Sequence, residues 1–329
     1  MPVGATPERD GFDAAGQSLA NLSEVVIACL DAIDAGSVIE IGAHRGELTA
    51  VLLEWADGAG AGVSAVDPAP AAELEELERE HPELELVRET SHEALRRLPL
   101  PDAIVLDGDH NHYTLTGELG LIAERLEGEL PLLLLHDVCW PHARRDTYYA
   151  PDRIPEEHRH PLAQRAALAP GEPGLAPAGL RYEWVARREG GPENGVLTAI
   201  EDFIRGREGL RLAIVPAFFG LGVLWSERAP WADAVAAAVA PWDGNPVLER
   251  LEEHRLANLV ESARNAQELG EIEIMRRERG RDAERERLLR SMLESRAFAW
   301  GERLSRLRKG GRPTFSREQV KRALDEGDR

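Results

Sequence analysis

Five short apolar runs, separated by helix-length segments, fill the first half of this chain and restrict what it can fold into. They are Ser37–Gly42 (SVIEIG), Gly62–Asp67 (GVSAVD), Leu84–Glu89, Ala103–Asp107 (AIVLD) and Leu132–Val138 (LLLLHDV). Between them, helical patterning covers about Gly46–Ala56, Ala71–Glu80, His92–Leu98 and Thr116–Leu126. Apolar runs without polar alternation are strands buried on both faces, so the pattern predicts a parallel sheet covered by helices. A helix at Val196–Arg205 follows later. Beyond it, Leu210–Pro216 and Leu221–Trp225 flank Phe218-Phe219-Gly220 as a β-hairpin. Upstream, Leu19, Leu22, Val26, Cys29, Leu30 and Ile33 fall at helical spacing and make 1–36 an N-terminal helical segment.

Two regions break this rhythm. Residues 141–194 are rich in Pro, Arg and aromatics without clear periodicity, which reads as a lid-like or disordered insert within a domain over 37–228. From Asn245 the composition turns to Glu, Arg and Leu, and residues 245–329 form a helical, coiled-coil-like tail. In it Leu289, Leu293, Ala297, Trp300, Leu304 and Leu307 make an amphipathic seam. Arg276–Arg287 is a solvated helix face or a break, with Gly270 and Gly280 as the expected interruptions. A wet apolar seam needs a partner, either the preceding domain or a second chain, and a homodimer through the tail is expected.

The net charge of −20 argues against nucleic-acid partners and anionic membrane surfaces, which call for a Lys/Arg excess. Cys29 and Cys139, each in or beside an apolar segment, suggest a reducing compartment and cannot build a cysteine zinc site. The first twenty residues lack a basic and an apolar signal region. The longest nearly apolar run, Leu212–Trp225, is too short to cross a bilayer and contains Pro216. A soluble, cytoplasmic protein is expected.

Two constellations carry chemistry. The first is Glu40-x-Gly42-x-x-x-Gly46 at the first strand-to-helix turn, with Asp67 ending the second strand. Glycine there allows a sharp turn and close approach of a ligand, and a carboxylate at Asp67 can accept two hydrogen bonds from a ribose diol. A tight turn with an unrelated acid is the bland reading; together the residues favour a nucleoside-like ligand. The spacing is not Gly-x-Gly-x-x-Gly, which counts against a dinucleotide. The second is Asp107-Gly108-Asp109-His110-x-x-Tyr113 after the fourth strand, with His136-Asp137 ending the fifth. Strand ends of an open parallel sheet line one crevice, so these groups should converge to hold a hard cation or to share acid and base duties.

Residues 37–67 resemble motifs I and II of class I S-adenosylmethionine-dependent methyltransferases. The resemblance, over about residues 20–226, implies a Rossmann-like α/β fold with a seven-stranded sheet whose last strand is antiparallel. It implies that Glu40 and the Gly42–Gly46 loop, His44 included, hold the amino-acid end of S-adenosylmethionine, Asp67 its ribose, and Ser91 and His92 its adenine. Asp-Gly-Asp-His-x-x-Tyr followed by His-Asp resembles a subgroup with macrocin-like and catechol-type O-methyltransferases and cephalosporin-hydroxylase-like proteins. Carried across, Asp107 and Asp137 become ligands of a divalent cation. His136 stands where many members have an acid; its nitrogen would favour manganese or another transition metal over magnesium.

The implied reaction is O-methylation of a hydroxyl on a small molecule or sugar, with Asp109 or His110 as general base. Alternatively His136 and His110 act without metal as base and orienting partner. The run Trp140-Pro141-His142-Ala143-Arg144-Arg145-Asp146 with Tyr148-Tyr149 either receives the acceptor or anchors the insert. Two other classes stay open: a nicotinamide-dependent oxidoreductase, and a non-catalytic scaffold on a methyltransferase fold.

Overall fold

Each apolar run becomes a strand in a computed structural model that describes residues 16–296 together with 300, 303, 304, 318, 319 and 322. The strands are β1 (Ser37–Ile41), β2 (Gly62–Val66), β3 (Glu85–Val87), β4 (Ala103–Leu106) and β5 (Leu132–His136). Between and before them lie α1 (Ser23–Ala32), α2 (Glu47–Ala59), α3 (Ala72–Glu80), α4 (Ser91–Arg97) and α5 (His112–Glu124). The later elements are β6 (Leu162–Leu168), β7 (Leu180–Ala186), α6 (Val196–Ile204), β8 (Leu210–Val215), β9 (Leu221–Ser226), α7 (Ala232–Val239) and α8 (Pro246–Glu294).

Seven strands form one sheet in the order β3-β2-β1-β4-β5-β9-β8. Adjacent pairs from β3 to β5 are parallel, whereas β9 runs antiparallel to both β5 and β8. The antiparallel last strand is thus where the resemblance put it. Successive strand residues feed opposite faces. Val38, Ala103, Val105 and Leu134 pack under α1, α2 and α7; Ile39, Ile104, Leu133 and Leu135 pack under α4, α5 and α6. Both faces being covered explains why these strands read as unbroken apolar runs. Because the chain leaves β1 for β2 on one side and returns to β4 on the other, the crevice above the ends of β1 and β4 is left open.

Two expectations need correction. The insert is not without regular structure: β6 and β7 form an antiparallel hairpin, joined to the chain by the Thr147–Val185 bridge. In β7 exposed Arg181 and Glu183 alternate with Leu180, Tyr182 and Trp184, a strand signal the sequence does carry, whereas β6 is broken by the adjacent exposed Gln164 and Arg165; the core between them is Ala163, Leu168 and Val185 with its neighbours. Second, α8 runs unbroken through Gly270 and Gly280. Each glycine costs about 1 kcal/mol in a helix, against which pairs one turn apart, such as Arg277 with Glu273 and Arg290 with Glu286, offer partial support. A further helix, α7, joins the expected elements; its Val235 and Val239 are buried beside α1.

The chain divides into two compact units, one to Ala263 and one from Arg264. In the second, Leu269, Ile272, Met275, Leu288 and Met292 are exposed on α8. Of the expected seam, Ala297 and Leu307 lie outside the described residues, as do residues 1–15 of the N-terminal segment. Among the described residues no helix is long and apolar enough to cross a membrane.

Candidate active site

The crevice above β1 and β4 is a cleft of about 630 Å³ lined by the first constellation. Gly42 crosses it with φ 87°, its N–H donating to the Val66 carbonyl at 2.8 Å. A β-carbon there would lie 2.0 Å from the Asp107 carbonyl oxygen, so the ends of β1 and β4 meet only because residue 42 is glycine. His44 (φ 44°) and Gly46 (φ 79°) complete the turn into α2. Asp67 is buried at the end of β2; its two oxygens accept the N–H of His44 at 2.8 Å and of Ala69 at 2.7 Å. It therefore shapes the glycine loop, and each oxygen keeps a lone pair for a ligand.

Glu40 is buried under this cleft and accepts the Thr49 hydroxyl at 2.5 Å. Burial pushes its carboxyl up to about 8, against the Thr49 bond, with Asp107 and Asp67 adding repulsion. Ser91 and His92 line the far end, where Thr90 and Glu93 form a reciprocal cap on α4. His92 spends one ring nitrogen on the Thr114 carbonyl at 2.9 Å and packs edge-on against Tyr113.

The second constellation gathers around Asp137, a left-handed residue with φ 60°. Register places Leu106 beside Leu135, so Asp107 comes level with His136. His136 is buried, with Nδ1 3.0 Å from Asp107 and Nε2 donating to the Phe218 carbonyl at 3.0 Å. Burial disfavours its charge, but Asp107 and Asp137 outweigh that and push it up to about 10. His136 is thus an imidazolium that balances two carboxylates. Burial also opposes the charge of Asp137; the histidines around it and Arg255 nonetheless hold its carboxyl below the usual range. His142 is pushed down to about 3 by burial and stays neutral, taking the Thr147 hydroxyl on Nδ1 at 3.0 Å and facing Asp137 with Nε2 at 3.5 Å.

His110 is the one histidine of the group whose second ring nitrogen meets only the hydroxyl of an exposed side chain. Its Nδ1 lies 3.1 Å from Asp137, and with that proton held by the carboxylate, Nε2 is left to accept the Tyr149 hydroxyl at 3.3 Å. Asp137 and His110 form a wall of a second cavity, about 130 Å³, with His142, Tyr182 and Phe219. Tyr149, largely exposed, lines both cavities at their common mouth. Asp109, the other candidate base, accepts the backbone N–H of Tyr149 at 3.0 Å and lines the first cavity. His112 turns away to Asp202 at 3.1 Å.

The run after Trp140 divides its work between the two readings. Arg145 is buried and donates to the carbonyls of Ala186, Pro173 and Gly174, while Asp146 accepts from His112, Gly195 and Tyr148. These residues anchor the insert, whereas Tyr149 and His142 face the site. Sequence reasoning gave His142 no role of its own and missed Tyr182 and Phe219, which arrive from the insert hairpin and the β8–β9 turn. Only Phe218-Phe219-Gly220, two large rings at a tight turn, offered a signal.

Strand order and the antiparallel β9 give a Rossmann-like seven-stranded sheet, the fold that the sequence resemblance implied. Solved structures similar to the chain include the S-adenosylhomocysteine-bound methyltransferase PaMTH1 of Podospora anserina, 15% identical at a TM-score of 0.40, over 65% of this chain and 82% of that one. The 1,6-didemethyltoxoflavin-N1-methyltransferase of Burkholderia thailandensis is 16% identical at 0.37, over 68% and 92%. An O-methyltransferase family protein of the same organism is 13% identical at 0.40, over 66% and 60%. No family model and no curated protein matches the chain.

Proposed function

We propose that the chain is an S-adenosylmethionine-dependent methyltransferase that methylates a hydroxyl of a small-molecule acceptor. The observation that carries this reading is the Asp137–His110 pair, whose Nε2 meets only the hydroxyl of Tyr149, a side chain that lines both the larger cleft and the smaller second cavity. S-adenosylmethionine supplies a methyl group on a sulfonium. A hydroxyl is a poor nucleophile until its proton is removed, and His110 Nε2 would take that proton as the oxygen bonds to the methyl carbon and the carbon–sulfur bond breaks, its electron pair returning to sulfur in the departing S-adenosylhomocysteine. Asp137 then stabilises the imidazolium, and the walls of the second cavity fix the line of attack. Titration with S-adenosylmethionine and with a nicotinamide dinucleotide tests the reading: binding of the dinucleotide alone overturns it. Asp67→Ala should weaken S-adenosylmethionine by about 2–3 kcal/mol, since a charged acceptor of two ribose hydroxyls is lost; equal affinity removes Asp67 from the site.

Glu40 gives a second check on the same ligand. At pH 7 its carboxyl, at about 8, is mostly protonated. A cationic ligand above it lowers that value, so binding should release most of one proton near pH 7 and none well above pH 9. The observed enthalpy then varies with the ionisation enthalpy of the buffer, and Glu40→Gln removes the dependence.

A second reading adds a divalent cation. Asp107, His136 and Asp137 each offer one donor atom, all within 4.8 Å of one another. They fit a cation that accepts oxygen and nitrogen, provided His136 gives up its Nδ1 proton; such an ion would stabilise the developing alkoxide. For the tail, the exposed Leu269, Ile272, Leu288 and Met292 support a homodimer through residues beyond Ala263. A chain ending there should sediment as a monomer where the full chain is a dimer; an unchanged multiple overturns that assignment.

A further inference from the structure

The first turns of α8 reach back into the strand-end cluster. Glu252 is 7% exposed, and its two oxygens accept the backbone N–H groups of Phe218 at 3.1 Å and Phe219 at 3.0 Å. Arg255, one turn further, pairs with the same carboxylate at 2.6 Å and lays its guanidinium 4.5 Å from the centre of the Phe219 ring. The turn so held is strained: Phe218, Phe219 and Gly220 have φ of 51°, 68° and 93°. Bulky residues in the left-handed region persist only where their surroundings fix them. Two adjacent N–H groups aimed at one carboxylate are such a fixing.

What the turn presents is used in the site. The Phe218 carbonyl takes the Nε2 proton of His136 at 3.0 Å, which sets the face that imidazole turns to Asp107 and Asp137. The Phe219 ring lines the second cavity and meets His142 edge-on with 6.2 Å between centroids. Glu252 itself lines neither cavity.

We propose that Glu252 is a positioning residue: it holds the Phe218–Phe219 turn in the conformation that orients His136 and walls the second cavity. The functional half of this rests on the methyltransferase reading; the hold on His136 does not. Glu252→Gln is nearly isosteric but sets an amide N–H against one of the two backbone N–H groups. In that variant the Phe218 and Phe219 amides should exchange with solvent about tenfold faster, as for one lost hydrogen bond. The His136 Nε2–H resonance should shift and exchange faster, while the Kd of S-adenosylhomocysteine stays as in wild type.

An unmoved His136 resonance with faster exchange at the turn overturns the proposal and leaves Glu252 a local contact only. Should Glu252→Gln fail to fold, Arg255→Gln keeps the carboxylate and removes the stacked guanidinium. It should shift the same resonance by less, and no shift is again decisive against the idea. Wild-type protein that binds no S-adenosylhomocysteine sinks the methyltransferase reading and leaves the His136 measurement standing.

Discussion

With His110 replaced by alanine, turnover of an accepted hydroxyl substrate should fall by about 10²–10⁴-fold, the usual contribution of a positioned general base, while S-adenosylmethionine still binds. The reason is geometric. Of the three histidines around Asp137, His136 has both nitrogens committed to Asp107 and Phe218, and His142 has both committed to Thr147 and Asp137. His110 alone offers Nε2 to an incoming hydroxyl, in the place where Tyr149 now donates. The assay is single-turnover methyl transfer with and without a chelator. Retained activity in chelator together with an inactive His110→Ala establishes the metal-free base. Loss in chelator with an active His110→Ala moves the chemistry to Asp107, His136 and Asp137. Asp137→Ala discriminates nothing, because both routes need that carboxylate.

Gly42→Ala should be the most damaging methyl group that can be added to the sheet. Its new carbon would sit 2.0 Å from the Asp107 oxygen and 2.9 Å from the Gly108 α-carbon, both backbone, at a φ of 87°. No rotamer relieves such a contact, so the ends of β1 and β4 must part. A loss of about 4 kcal/mol or more is expected, in the range that marks a named steric failure. For a domain of this size that is a fall in Tm of about 8–16 °C, with loss of S-adenosylmethionine binding alongside. Gly58→Ala is the control: it lies in α2 with nothing within 4 Å of the added carbon, and alanine there should stabilise by about 0.5–1 kcal/mol. Similar melting of the two variants would show that the β1–β4 junction gives way more easily than its geometry says.

The sheet was legible because its strands are buried on both faces, and five such runs alternating with helices admit few arrangements. Glu40, Gly42, Gly46 and Asp67 belong to one strand–turn–helix–strand passage, where local grammar alone brings them near each other. The partner of His110 was not legible. From the sequence His136 and His110 pair as base and orienting group; in the structure the register of β4 on β5 gives His136 to Asp107, and Asp137 goes to His110. No periodicity encodes a left-handed aspartate. Tyr182, Phe219 and Glu252 reach or steady the site from sequence positions far from either motif, so only tertiary packing reveals them. The β6–β7 hairpin escaped for a different reason: β7 alternates legibly from Leu180 to Trp184, but its partner β6 is interrupted by Gln164 and Arg165 side by side, so no matching second strand shows.

The buried position of Glu252 sets a minimum length for any fragment meant to carry the activity. Sheet, glycine loop and strand-end cluster are all complete by Ser226, and a gene trimmed there would look sensible on a domain diagram. Such a fragment would lack the carboxylate that ties down Phe218 and Phe219, and also Leu256 and Val260, which are buried on the same stretch of α8. A fragment carried through Ala263 keeps all of them. Chain engineering, crystallisation fragments and fusions that separate catalysis from tail should therefore cut beyond residue 263, inside a continuous helix rather than at its start.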